Sequence, residues 1–386
     1  MLGNCTLAEL AARKSYKWRT HPPDVLPAFV AEMDYTLAEP ISEAIRAALA
    51  IGDTGYPDGG ELGAAFTGYA SDRLGWTPRQ EWVFPVPDVM TGIAEVLIAT
   101  TPPGSGVVIS PPVYGPFFFR LGFLGRRLVE APLRRLADGS YEWDFDALDL
   151  ALAAPGVAAF LLCSPHNPLG QVWTEPDLRT IADLCQRHNV VLLVDEIHAP
   201  LVLPGARFVP FGALDHEMTD RAWIFTSASK GWNIAGLKCG VAVAGSAPAA
   251  ALLTERWEAL LASHLGVLAS VAAFSRSLAW LDAAVAQIDR NRVLLADLLA
   301  EHLPDVRYVP PAASFLAWLD CTGLGLGDDP AAVFLDRGRV ALSAGTYFGA
   351  QGAGFARLNI GTSPELITEA VRRMAAAVAM ASDSML

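Results

Sequence analysis

Runs of lysine or arginine are missing from the 386 residues, and acidic side chains outnumber basic ones by 41 to 28, a formal net charge of −13. A surface of that sign repels phosphate backbones and anionic lipid, so neither nucleic acid nor a membrane is expected as a partner. Long apolar runs are missing as well. Mean hydropathy is positive, at +0.33, but the Ala, Leu and Val behind it are dispersed, and no stretch reaches the ~18 uninterrupted apolar residues of a membrane span. An apolar leader does not fit before Arg13, Lys14, Lys17 and Arg19, so a cytoplasmic location is expected. The five cysteines, Cys5, Cys163, Cys185, Cys239 and Cys321, are odd in number and lack CxxC spacing. Neither a disulfide framework nor a metal site is expected from them.

What the chain does have is core-forming material: 52% of its residues are hydrophobic, enough for one large domain with a smaller companion. Pro22, Pro23 and Pro27 mark residues 1–40 as an extended arm, with a helix beginning near Ile41. Short β-branched runs at 107–110, 158–163, 190–194 and 222–225 then alternate with helical stretches such as 175–188. This succession indicates an α/β fold, a large domain whose mostly parallel sheet is flanked by helices. Beyond about Ala250 the texture becomes long Ala/Leu-rich helix, followed by strands at 315–320 and 356–360 and a closing helix at 364–380. The expected division is a large domain over 41–255 and a smaller α+β domain made of 1–40 and 256–386.

Four segments at the ends of expected strands carry the polar chemistry, the place where open α/β sheets hold ligands. In Val194-Asp195-Glu196-Ile197-His198 an apolar strand runs into two carboxylates. A buried acid needs a cation or a donor, which a protonated ring nitrogen, a capped helix or a metal could each provide. In Thr226-Ser227-Ala228-Ser229-Lys230-Gly231 small hydroxyl residues precede one lysine, which suits a loop that donates to phosphate and presents an amine to an aldehyde. Taken alone, the segment is equally a solvated turn. Asn167, between Pro165 and Pro168 in Cys163-Ser164-Pro165-His166-Asn167-Pro168, is either a ligand contact on a rigid turn or a plain helix cap. Arg357, in Phe355-Ala356-Arg357-Leu358-Asn359, is either paired with a structural acid or held ready to grip a carboxylate with two donors.

Together and in this order the segments resemble the class I and II aminotransferase family of fold-type-I enzymes that use pyridoxal 5′-phosphate, and most closely its branch of MalY/PatB-like cystathionine β-lyases. The resemblance extends to Phe29-Val30-Ala31-Glu32-Met33-Asp34-Tyr35, Pro111-Pro112-Val113-Tyr114 and Tyr347-Phe348-Gly349. It implies that Lys230 is the Schiff-base lysine, that Asp195 faces the pyridine nitrogen, and that Asn167 faces the phenolic oxygen. Tyr114 would stack on the ring, and the phosphate would sit at the turn of Val89 and Met90 with Ser227 as a hydroxyl donor. His198 would hydrogen-bond around the site without moving protons itself. Arg357 would bind the substrate's α-carboxylate, with Asp34 and Tyr35, and also Met33 and Tyr347, as candidates to line the pocket. Tyr56 resembles the tyrosine that reaches the phosphate from the neighbouring subunit, which implies a homodimer.

Three positions depart from the family pattern. Pro200 stands where the branch commonly has an acid, Asp88 where glycine is frequent, and Lys238 where many relatives place a phosphate-binding arginine. The expected activity is a carbon–sulfur β-lyase acting on cystathionine or a related small-molecule L-cysteine S-conjugate. Amino transfer to a 2-oxo acid uses the same residues and is the alternative. Regulation through a protein partner is a third reading.

Overall fold

The computed structural model describes residues 2–3 and 5–383. Its central sheet has seven strands, in the spatial order Val83–Val86, Gly240–Ala244, Trp223–Thr226, Val191–Asp195, Val157–Cys163, Gly106–Ile109 and Arg127–Glu130. Gly240–Ala244 runs antiparallel to both of its neighbours, and the other six strands share one direction. Trp223–Thr226 and Gly240–Ala244 are buried along their whole length. Helices cover both faces of such a sheet, so its strands read as continuous apolar runs and not as alternating ones. The boundaries expected from sequence hold to within one or two residues.

The helix Glu175–Arg187 shows how the sequence sets these elements. Thr174 caps it, the Asp177 carboxylate accepts in return from the Thr174 amide, and Pro176 stands in the first turn, where its missing N–H is not needed. Leu178, Ile181, Ala182 and Cys185 fall at helical spacing and are buried. Ile181→Ala would cost about 2–5 kcal/mol by opening a cavity there.

A second, four-stranded sheet is antiparallel throughout, in the order Arg307–Tyr308, Leu316–Asp320, Phe355–Asn359, Ser343–Ala344. The closing helix Pro364–Asp383 packs on both Leu278–His302 and Pro330–Gly338. The N-terminal arm is stitched to this part of the molecule, because Leu26–Pro27 pairs in parallel with Val340–Ala341. One helix departs from the expected division. His264–Arg276, counted by sequence with the smaller part, packs against helices Glu39–Ala50 and Leu62–Leu74. Phe274 there meets Phe66 at 5.4 Å, Tyr69 at 5.2 Å and Trp232 at 5.4 Å. Aromatic contacts with residues of the larger part, Trp232 just after Lys230 among them, outweigh the change in local composition near Ala250. Among the described residues no single helix is long and apolar enough to cross a membrane.

Candidate active site

Strand direction gathers the site. Cys163 pairs with Asp195 and Asp195 with Phe225, so three parallel strands end level and release Asn167, Asp195 and the Ser227–Lys230 turn at one edge. Tyr114 follows the next strand over. The antiparallel strand Gly240–Ala244 begins at that same edge, which brings Lys238 in from the other side. All of these side chains line one cavity of about 810 Å³, together with Val89, Met90, His198 and Arg357.

Adjacent acids in this edge have opposite fates. Asp195 is 3% exposed, faces the cavity and accepts one hydrogen bond, from the Ile197 amide at 3.0 Å. Burial raises its pKa to about 7, against the pull of that amide and of Lys230. Glu196 turns away, as strand geometry requires of the next residue. It accepts from the Phe211 amide at 2.7 Å, and burial raises it to about 8. It is a buried brace for a loop and has no part in the cavity.

Lys230 donates from Nζ to the Ala31 carbonyl at 2.9 Å. Burial first, then the charge of Arg357, lowers its pKa to about 8, with Glu32 and Asp195 opposing. An amine poised near neutrality can be a nucleophile and a proton acceptor in turn. Arg357 is 6% exposed and donates to Asn167 Oδ1 at 3.0 Å, the Phe29 carbonyl at 3.0 Å and Ser343 Oγ at 3.3 Å. Its guanidinium carbon lies 4.7 Å from the centre of the Phe348 ring. Burial lowers it to about 10. It pairs with no carboxylate among the described residues, and its Nε has no partner. His198 is likewise buried with Nδ1 unpartnered, and burial lowers it to about 3, so it is neutral at any physiological pH.

The other end of the cavity is the first turn of helix Val89–Thr100. Asp88 is its N-cap, accepting from the Thr91 amide at 2.8 Å, and Lys238 Nζ lies 2.6 Å from Asp88 Oδ2. Burial alone would raise the Asp88 carboxyl, but the hydrogen bonds from Lys238 and Thr91 hold it below the ordinary value. The out-of-pattern acid and the out-of-pattern lysine are therefore one unit. The Val89 and Met90 amides remain free to meet an anion. Gly240 keeps that approach open, since a Cβ there would lie 3.1 Å from the Val89 nitrogen. Ser227 donates its hydroxyl proton to the Cys239 carbonyl at 2.7 Å and accepts from the Ser229 amide at 3.0 Å. It braces the loop instead of offering the free donor expected of it.

Three residues expected to line the pocket, Met33, Asp34 and Tyr35, are not brought to this cavity. Asp34 is buried in an ion pair with Lys17, at 2.7 Å. Tyr35 is 1% exposed and donates its hydroxyl to the Thr362 carbonyl at 3.1 Å. The correction has a physical reason: the segment's hydrogen-bonding contribution lies two to five residues before Asp34 and comes from its backbone. The carbonyls of Phe29, Val30, Ala31 and Glu32 accept in turn from Arg357, Asn359, Lys230 and Lys17. Met33 and the two residues after it then turn into the core. Tyr56, expected to serve the neighbouring subunit, is 90% exposed and lies outside the cavity of its own chain. Sequence reasoning also missed Tyr16, Phe29, Arg120 and Ser229 on the lining. Phe29 and Ser229 stood inside segments already singled out, whereas nothing in the sequence flagged Tyr16 or Arg120.

These features fit pyridoxal 5′-phosphate: a cavity of sufficient size, a depressed amine, a buried acid short of partners, and free helix amides at the far end. A positive ring nitrogen set against Asp195 would restore its ionised form. Comparison with known proteins agrees. Residues 61–374 match the family model of aminotransferase class I and II. The cystathionine beta-lyase PatB of Bacillus subtilis is 36% identical, over 92% of this chain and 93% of its own. A cystathionine beta-lyase of Corynebacterium glutamicum is 33% identical, over 96% and 98%. Among solved structures, cystalysin from Treponema denticola, which contains a pyridoxal 5′-phosphate cofactor, has a TM-score of 0.91 at 26% identity and covers 98% of both chains. The chain belongs to the class I and II aminotransferase family, in its MalY/PatB-like cystathionine β-lyase branch. It has the fold-type-I architecture and uses pyridoxal phosphate as its cofactor.

Proposed function

We propose that this enzyme is a cytoplasmic carbon–sulfur β-lyase that converts an L-cysteine S-conjugate, cystathionine or a relative, and water into a thiol, pyruvate and ammonium. The observation that carries the reading is a buried guanidinium, Arg357, with no acidic partner, on the lining it shares with Lys230. An unpaired buried cation is strongly disfavoured unless a ligand supplies the anion, and an α-amino acid brings a carboxylate with its amine one atom away. The two relatives named as cystathionine beta-lyases favour elimination over amino transfer.

Bound here, pyridoxal phosphate supplies an aldehyde for amines and a positive ring that withdraws electrons from the substrate's α-carbon. Asp195 would keep the ring nitrogen protonated, Asn167 and Tyr114 would fix the ring's orientation, and the Val89 and Met90 amides would hold the phosphate, with Asp88 and Lys238 beside it. Arg357 grips the α-carboxylate and so sets the Cα–H bond toward Lys230. Lys230 Nζ takes that proton in its neutral form, and the Cβ–S bond breaks with its electron pair leaving on sulfur. A proton from the same amine completes the thiol. The Ala31 carbonyl, 2.9 Å from Nζ, holds the free amine in position between these transfers.

The enzyme is further proposed to act as a homodimer in which Tyr56 of each copy reaches the phosphate of the other. That role accounts for a tyrosine 90% exposed in a single chain. Purified enzyme given L-cystathionine without any 2-oxo acid should release thiol and pyruvate in equal amounts. Glutamate formed only when 2-oxoglutarate is added, with no thiol, would assign the site to amino transfer instead.

A further inference from the structure

The Arg357 end of the cavity is walled by aromatic rings. Phe29, whose carbonyl takes a hydrogen bond from Arg357, meets Tyr16 edge-on with centroids 6.0 Å apart. Tyr347 lines the cavity with them and packs on Phe119 at 5.8 Å. Tyr16 and Tyr347 are 68% and 43% exposed, so these rings are open surface at a ligand site and not core. The position of Tyr347 is also built in. A Cβ on Gly115 would lie 2.4 Å from Tyr347 Cε1 and 2.5 Å from its carbonyl oxygen. Glycine directly after Tyr114 is what lets this ring close on the cavity.

Charge supplies the second, independent observation. The cations on the cavity lining are Arg120, Lys230, Lys238 and Arg357. Lys238 is paired with Asp88, and Arg120 donates to Thr91 Oγ1 at 3.3 Å in the first turn of the phosphate-end helix. Lys230 serves the cofactor and Arg357 the α-carboxylate. Arg120 has no carboxylate partner and its Nε is unpartnered, but its one hydrogen bond turns its guanidinium to the phosphate-end helix and not to the Tyr16–Phe29 wall. A sulfur substituent ending in another amino acid would lose water there without gaining an ion pair. An apolar substituent would exchange water for ring surface.

We infer that Tyr16, Phe29 and Tyr347 form the side-chain subsite, and that it selects L-cysteine conjugates whose sulfur carries an uncharged group of about aromatic size over conjugates that end in a second zwitterion. The inference rests on the β-lyase reading for the fate of the bound conjugate, but not for the binding itself. It is tested by titrating S-benzyl-L-cysteine, S-methyl-L-cysteine and L-cystathionine into the holoenzyme, with Kd read from the cofactor absorbance and turnover from pyruvate. S-benzyl-L-cysteine should bind about tenfold or more tighter than cystathionine, the scale on which apolar pockets discriminate. Tyr347→Ala and Gly115→Ala should each remove most of that preference while leaving Kd for S-methyl-L-cysteine within about threefold. Tyr347→Phe should retain it. Cystathionine binding as tightly as the benzyl conjugate, or both variants weakening the methyl and benzyl conjugates equally, would overturn the subsite. The expected binding order without any pyruvate sinks the lyase reading and leaves the subsite standing. Pyruvate release with cystathionine preferred does the reverse.

Discussion

The two walls of the cavity handle charge differently. On the side made by the central sheet, the charges answer to one another or are set for the cofactor: Asp88 pairs with Lys238 at 2.6 Å, and Asp195, with one amide donor, is short of the positive partner that a ring nitrogen would supply. On the side made by the N-terminal arm and the second sheet, Arg357 is surrounded by carbonyls, a hydroxyl, an amide and an aromatic face, with no acid. The first wall is arranged before any substrate arrives, as a cofactor seat must be. The second is left with a charge that, in the proposed function, an incoming carboxylate completes, which is how a binding site couples affinity to orientation.

Removing the one side chain that serves both walls should have the largest effect. Lys230→Ala should lower turnover by about 10²–10⁴-fold, the range for loss of a positioned proton-transfer group. It should also abolish the label that borohydride fixes to this peptide from the holoenzyme. A retained label on a different lysine would break the assignment of Lys230. Arg357→Leu should come next, acting mainly on the second wall and reaching the first through its hydrogen bond to Asn167 and its charge near Lys230. Loss of a buried charge-to-charge contact is worth about 2–5 kcal/mol, so kcat/KM should fall roughly 30- to several-thousand-fold while cofactor affinity changes far less. If Kd for pyridoxal phosphate moved as far as kcat/KM, the two walls would not be separate.

A pH series sharpens the contrast further. Lys230 is depressed to about 8, so its reactive neutral form is depleted below that pH and dominant above it. The rate at which apoenzyme captures pyridoxal phosphate should rise about tenfold per pH unit on the acid side and level off near pH 8. A rise continuing to pH 10 would mean an ordinary, solvated lysine. His198, lowered to about 3, should leave no inflection between pH 5 and 8.

The same contrast decided what could be read from the amino acids alone. The sheet wall was legible because apolar strands of four to seven residues end abruptly in Asp195, Asn167 and the Ser227–Lys230 turn, and strand ends at one edge are a local rule with a three-dimensional consequence. The arm wall was not, because it works through backbone carbonyls, which carry no residue signature. The resemblance pointed to Asp34 and Tyr35 as pocket residues, yet Asp34 serves Lys17 and Tyr35 serves Thr362. Their apolar neighbours Phe29 and Ala31 touch the site. Arg120 and Tyr16 are brought in by packing at long sequence separation, which no local pattern encodes. The helix His264–Arg276 was misassigned for the same reason, since its partners Phe66 and Trp232 are distant in the chain.

The smallest expected effect concerns the one pair in the sheet wall that departs from the family pattern. Lys238 sits in the left-handed backbone region, φ 55°, a conformation a non-glycine residue adopts at some strain. There it holds the Asp88 carboxylate, which in turn caps the helix proposed to face the phosphate. Because the pair is partly exposed, its loss should change folding stability by less than about 1 kcal/mol. Cofactor affinity should respond more. In Lys238→Met the Asp88 charge stands unopposed beside the phosphate, so Kd for pyridoxal phosphate should rise roughly fivefold at low ionic strength, and less in high salt. Adding Asp88→Asn should return most of that loss, because Asn still caps the helix without the charge. Recovery in the double variant would make the two departures a compensated exchange. Equal weakening by each substitution, with no recovery, would mean that Lys238 acts on the phosphate directly and that Asp88 contributes only its cap.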